Sequence, residues 1–217
     1  MNTKKTIAIV AGGTLHVGEL RDIREASFIM GVDRGAYWLT KHKTKVDLAI
    51  GDFDSVTKAE RKFIEKHAGQ VVAYPAQKDA TDLELAVDEA VKLHPKSVVI
   101  YGAIGTRFDH TYAAVGLLLR LESHNILGQI VDNYNKVHIV RRLYILRPPH
   151  EYAYVSVLPL KDSAVITMKG FAYDVSRLSL GFGSTRGVSN EIRDDNATII
   201  VHKGSVLVIE SRDWRAR

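Results

Sequence analysis

Val46-Asp47-Leu48-Ala49-Ile50-Gly51-Asp52-Phe53-Asp54-Ser55 is an apolar run that breaks off into glycine and two aspartates. Thr57 and Glu60 follow at the spacing of a capping box, the start signal for a helix over Lys58–His67. Strand, acidic turn and helix in that order make one βα step. The step recurs on both sides of this stretch. Short apolar runs stand at Thr6–Val10, Ser27–Val32, Val71–Tyr74, Ser97–Tyr101 and Ile126–Val131, with amphipathic segments at Gly35–Lys41, Leu83–Leu93 and Thr111–Leu121. Continuous apolar strands separated by helices predict a parallel sheet covered on both faces.

The texture changes near Asp132-Asn133-Tyr134-Asn135. Beyond it, Lys136–Val140, Tyr152–Leu158, Ala164–Met168, Ala197–Val201 and Ser205–Glu210 are short, β-branched and aromatic, with turn residues between them and no helical period. That pattern predicts an antiparallel sandwich or barrel. The expected fold class is therefore a Rossmann-like, mostly parallel αβα sheet domain over residues 1–132, followed by a β-sandwich over 133–217.

Composition narrows the function classes. The 217 residues are 46% hydrophobic and 25% charged, ordinary for a globular chain, with no cysteine to form disulfides or thiolate metal sites. No stretch reaches the roughly 20 apolar residues of a membrane helix, and the short run Ile7 to Ala11 lacks a signal-peptide core, so the expected compartment is the cytoplasm. The net charge is +5 with a pI near 9.3. The basic residues are scattered, the densest late group being Arg212, Arg215 and Arg217, and no nucleic-acid recognition motif accompanies them. Small anionic substrates suit that balance, and neither a nucleic acid nor a membrane is expected as partner.

In an open parallel sheet, ligands bind beyond the carboxyl ends of the strands. There this chain places Ala11-Gly12-Gly13-Thr14, Asp33-Arg34-Gly35-Ala36, Gly51 to Ser55, Gln77-Lys78-Asp79-Ala80-Thr81-Asp82-Leu83-Glu84 and Gly102-Ala103-Ile104-Gly105-Thr106-Arg107-Phe108-Asp109-His110. Paired glycines let backbone amides approach an anion, or simply make a tight turn. Asp52 and Asp54 can converge on a hard cation such as Mg²⁺, with Asp79 as a third acid, or form a plain polar loop. Asp33 at its strand end can bind a hydroxyl or a metal, and Arg107 can grip phosphate bidentately. Asp109 also suits the N-cap of the following helix, and Thr81 with Glu84 fits a second capping box. In the second half, Leu180 to Glu191 holds three glycines and three hydroxyls, either a loop shaped around a ligand or a long hairpin turn. No spacing of a nucleophile triad is present, which favours phosphoryl-type chemistry.

Taken in order, Asp33 to Ala36, Gly51 to Ser55, Lys78 to Glu84, Gly102 to His110 and Ser189-Asn190-Glu191 resemble the bacterial type of thiamine pyrophosphokinase. The resemblance spans both predicted domains. It implies transfer of pyrophosphate from MgATP to the hydroxyethyl group of thiamine, giving thiamine diphosphate and AMP, by a homodimer with active sites at the subunit interface. It implies Asp52, Asp54 and Asp79 as Mg²⁺ ligands and catalytic acids. Arg107 and Asp109 would act on phosphate charge and the hydroxyl proton. Asp33, Gln77, Thr81 and Asp82 would line the nucleotide and substrate cleft, and Ser189 and Asn190 would contact thiamine. Two positions depart from the family pattern: Arg34 stands where glycine is frequent, and Ala114 closes an Asp-His-x-x-x-Asn motif that usually ends in Asn. Rival readings are another ATP-dependent phosphotransferase, which would release ADP if it moved one phosphoryl group, and a ligand sensor without turnover.

Overall fold

The computed structural model describes residues 5–75, 77 and 79–214, so Lys78, Arg215 and Arg217 lie outside the described residues. The chain divides into two units, 1–133 and 134–217. Among the described residues no helix is long and apolar enough to cross a membrane.

The first unit contains β1 (Thr6–Val10), α1 (Leu20–Glu25), β2 (Phe28–Val32), α2 (Arg34–Lys41), β3 (Val46–Gly51), α3 (Lys58–His67), β4 (Ala68–Ala73), α4 (Asp82–Lys92), β5 (Ser97–Tyr101), α5 (Phe108–Ser123) and β6 (Leu127–Val131). All its strand pairings are parallel, in the order β6-β5-β1-β2-β3-β4. The order reverses direction at β1, between β2 and β5, which is the topological switch point where such sheets bind ligands. Successive β1 residues point to opposite faces, yet Ile7, Ala8, Ile9 and Val10 are all at most 1% exposed. A strand buried on both faces needs an unbroken apolar run, which is what Thr6–Val10 supplies. Helices α2 and α4 both pack on β1, β2 and β3, the first alongside α3 and the second alongside α5.

Local signals explain most helix starts. Thr57 Oγ1 accepts the Glu60 amide while the Glu60 carboxylate accepts the Thr57 amide, a complete capping box. Thr81 also caps through the Glu84 amide, but the Glu84 carboxylate turns away to Arg120 at 2.6 Å. Arg120 reaches Asp88 as well and so ties α5 to α4. The expected second capping box is thus only half formed, because a guanidinium competes for its acid. Helix α5 begins at Phe108 rather than Thr111, which puts Asp109 inside the first turn instead of at the cap. Helix α1 was not anticipated: its apolar signal is only Leu20 and Ile23, one helical step apart over six residues.

The second unit contains β7 (Asn135–Val140), β8 (Leu143–Leu146), β9 (Tyr154–Pro159), β10 (Ser163–Lys169), β11 (Val175–Gly181), β12 (Asn190–Glu191), β13 (Ala197–Lys203) and β14 (Val206–Ser211). Two antiparallel sheets, β12-β9-β14-β7 and β11-β10-β13-β8, enclose a core that includes Val155, Val157, Ile166, Leu180, Ile199 and Val208. Strands β8, β11 and β12 escaped the sequence reading. In β11 the register shifts opposite Ile166 and Met168, and Arg177 takes a left-handed φ of 49°. The bulge breaks the alternation, so Val175 and Leu178 fall out of step.

Candidate functional site

The carboxyl ends of β2 and β3 are neighbours because these strands pair through Val32 and Ile50. Each ends in an acid, and α4 opens with a third. Ligand oxygens of Asp33, Asp52 and Asp82 lie within 4.8 Å of one another. Asp33 sits at φ 45° and Phe53 at φ 59°, both left-handed. With ψ at −114°, Asp33 lies outside the left-handed helical well that Asp readily adopts, so both residues are strained, on the order of 1–3 kcal/mol each. Burial of Phe53 to 4% exposure and the Arg61 guanidinium 5.4 Å above its ring hold the turn in place.

Gly51 makes the arrangement possible. A Cβ there would lie 1.9 Å from Asp33 Oδ1, so only glycine leaves room for that carboxylate. Asp33 Oδ1 accepts the Phe53 amide at 3.0 Å, and Asp52 Oδ1 accepts the Asp54 amide at 3.0 Å. Burial, joined by the charges of Asp82, Asp52 and Asp54, pushes the Asp33 carboxyl up to about 7, against the opposing Phe53 hydrogen bond. Three half-buried carboxylates crowded this way favour a bound positive charge. Oxygen-only donors of this number are the kind that suit a hard cation such as Mg²⁺, which keeps several waters.

The other expected site residues are placed as follows. Asp54 is exposed next to the triad, and its charge reaches Asp33. Gln77 and Asp79 are exposed on the segment before α4, and neither belongs to the triad. Thr81 caps α4, with its hydroxyl oxygen occupied by the Glu84 amide. Arg107 and Asp109 are both largely exposed and pair with each other, Asp109 being held below the usual carboxylate range by the Arg107 hydrogen bond. In the second unit, Ser189 is exposed at a left-handed φ of 57°, and its amide donates to Ser156 Oγ. Asn190 is buried and spends its side chain on backbone: Oδ1 accepts the Tyr173 and Glu191 amides, and Nδ2 donates to the Tyr173 carbonyl.

The glycine pair after β1 behaves differently from an anion loop. The Gly13 and Thr14 amides donate to the Gly102 and Ile104 carbonyls at 2.8 and 2.9 Å. A Cβ on Gly13 would lie 2.4 Å from the Gly102 oxygen. These residues close the β1 and β5 ends together. The convergence of Asp33 and Asp82 with Asp52 was the part that spacing did not reveal. Its sequence signal was weak but present: each acid directly follows a strand or opens a helix on the same sheet edge.

Comparison with known proteins supplies the family. The pattern described as "Thiamin pyrophosphokinase, catalytic domain" matches residues 21–129, and "Thiamin pyrophosphokinase, vitamin B1 binding domain" matches 141–206. A thiamine pyrophosphokinase of Bacillus subtilis (strain 168) is 34% identical, over 96% of this chain and 100% of the relative. The crystal structure of a Bacillus subtilis thiamine pyrophosphokinase superposes with a TM-score of 0.89 at 33% identity, covering 96% of this chain and 100% of that one. A Geobacillus thermodenitrificans structure gives 0.84 at 31% identity, covering 98% and 100%. With both domain patterns matched in order and relatives aligned over nearly their whole length, this chain belongs to the thiamine pyrophosphokinase family.

Proposed function

We propose that this chain transfers the pyrophosphoryl group of ATP to the hydroxyethyl oxygen of thiamine, producing thiamine diphosphate and AMP. The observation that carries this reading is the carboxylate triad at the strand ends, in a chain whose family is named for that reaction. Asp52, with Asp33 and Asp82, would hold Mg²⁺. Bound there, the ion offsets the negative charge of the phosphate oxygens. Asp54 and Asp79, both exposed, are proposed as further acceptors for ligands or for the hydroxyl proton. Arg107 is held by Asp109 when no phosphate is present, and a substrate phosphate competes for the same guanidinium. Gln77 and Thr81 are proposed to border the nucleotide. Of the two thiamine candidates, Ser189 is the better exposed, while Asn190 shapes the turn that presents it.

A homodimer and a cytoplasmic setting complete the proposal. The exposed Tyr173, Phe182 and Val188 of the second unit support a self-association surface, and the cysteine-free composition supports a reducing compartment. The test is to incubate the protein with ATP, Mg²⁺ and thiamine. AMP and thiamine diphosphate should accumulate in equal amounts. Release of ADP, or saturable thiamine binding with no turnover, would overturn the reading.

A further inference from the structure

Helices α3 and α4 both begin with Thr-x-x-Glu, yet their starts are held differently. In α3 the Glu60 carboxylate returns to the Thr57 amide, so the first turn closes within the helix. In α4 the equivalent Glu84 carboxylate leaves the turn for Arg120 of α5. Of the two helices, α4 is the one whose first residue, Asp82, belongs to the carboxylate triad. Its start is tied to a neighbouring helix as well as to its own cap.

Arg120 grips two acids. Its Nη1 donates to Glu84 Oε1 at 2.6 Å, and its Nη2 and Nε meet the two carboxylate oxygens of Asp88 at 2.8 and 2.7 Å. Glu84 and Asp88 are four residues apart, about 6 Å along one helical turn. A planar guanidinium that binds both fixes the position of α4 along its axis and its rotation about that axis. The base of the grip is firm, because Leu118 and Leu121 beside Arg120 are 1% and 0% exposed. The sheet side constrains rotation less. There α4 buries Ala86, Val87 and Ala90, whose short side chains make low ridges. Fully exposed ion pairs contribute little. Here the three side chains are between 30% and 40% exposed, and the contact to Asp88 is bidentate, the arrangement in which charge-assisted pairs set geometry.

Asp82 precedes Glu84 by two residues, about 200° around the helix. Arg120 therefore holds α4 from the side away from the triad, and a rotation that loosened the grip would swing Asp82 off Asp33 and Asp52. We propose that Arg120 is a positioning residue for the cation site, holding Asp82 against Asp33 and Asp52 through Glu84 and Asp88. The proposal rests on the reading of the triad as the Mg²⁺ site.

Mn²⁺ shares the octahedral oxygen preference of Mg²⁺, and its free ion is counted by electron paramagnetic resonance. The full-length protein is titrated with Mn²⁺ without nucleotide. Arg120→Ala should weaken Mn²⁺ about tenfold, the scale of loss when a group that orients a metal ligand is removed. In the synthesis assay the Mg²⁺ concentration for half-maximal rate should rise to match, with KM for thiamine unchanged. Arg120→Lys keeps the charge without the fork and should recover part of the affinity. Removing both acids, Glu84→Ala with Asp88→Ala, should cause the same loss, and adding Arg120→Ala to that pair should add nothing. A lower unfolding midpoint with unchanged Mn²⁺ affinity overturns the proposal, since Arg120 then only staples two helices. If Arg120→Ala does not fold, Arg120→Lys carries the test, and native Mn²⁺ affinity in it overturns the proposal. Normal thiamine diphosphate synthesis with unaltered Mn²⁺ binding in Arg120→Ala overturns the positioning role alone. A tenfold weaker Mn²⁺ site in the variant of a protein that makes no thiamine diphosphate supports that role and overturns the function proposed above. A native protein that binds no Mn²⁺ overturns the triad as a cation site and the positioning role with it.

Discussion

In the α/β unit, Asp33, Asp52 and Asp82 aim like charges at one another. In the sandwich unit, Glu210 accepts the Tyr144 phenol at 2.7 Å and pairs with Lys136 at 3.0 Å, and Asn190 closes on the backbone of Tyr173. Both regions contain half-buried charge: the sandwich groups meet a cation or backbone partner, whereas the three strand-end acids lie close to one another. A parallel sheet ends its strands on one edge, so acids placed at neighbouring ends crowd together. Antiparallel strands interleave their ends, so a polar residue more often meets a complementary partner. The contrast sets groups proposed to meet a ligand against groups that hold the fold.

The largest expected effect tests the first side of that contrast. Asp52→Asn should lower turnover roughly 10²–10³-fold, the scale of losing one electrostatic contact to a reacting centre. The unfolding midpoint should hold or rise, since a repulsive charge is removed. Near-normal turnover at ordinary Mg²⁺ would break the assignment.

The sandwich should respond the opposite way, in stability. His138 is 6% exposed, its ring lies 4.4 Å from Tyr144, and neither ring nitrogen has a hydrogen-bond partner. Burial lowers its pKa from 6.5 to about 4. The unfolded chain therefore takes up a proton first as pH falls. Stability is full above about 6.5 and declines toward 4, by roughly 2 kcal/mol between pH 7 and pH 5. Denaturant unfolding of the native protein and of His138→Leu at both pH values isolates this contribution. Equal pH slopes would show that the histidine does not titrate as described.

Asn190→Ala comes last, at about 1–3 kcal/mol, because it strands the amide and carbonyl of Tyr173. Unchanged stability with lost thiamine affinity would move Asn190 from the fold side of the comparison to the ligand side.

Much of the architecture was legible locally. Unbroken apolar runs ending in Gly or Asp marked the parallel strands, and Thr57 with Glu60 marked a helix start that the structure forms in full. The missed elements share a cause. In β8, Leu143–Leu146 is four residues long and half-exposed, and β11 carries a bulge, so neither keeps a clean alternation. Helix α5 begins a turn early with no side-chain cap at its start, where Arg107 and Asp109 pair with each other.

By itself the sequence determined the two-part organisation, the acids and glycines at strand ends, and the family, because these depend on residue order and period. Only the tertiary structure decided which acids meet. Strand order brings β2 beside β3, and packing of α4 on both strands carries Asp82 to Asp33 and Asp52. Gly51 then leaves the space that Asp33 fills. Convergence of side chains from residues 33, 52 and 82 is a property of pairing and packing across the sheet, which no local spacing encodes.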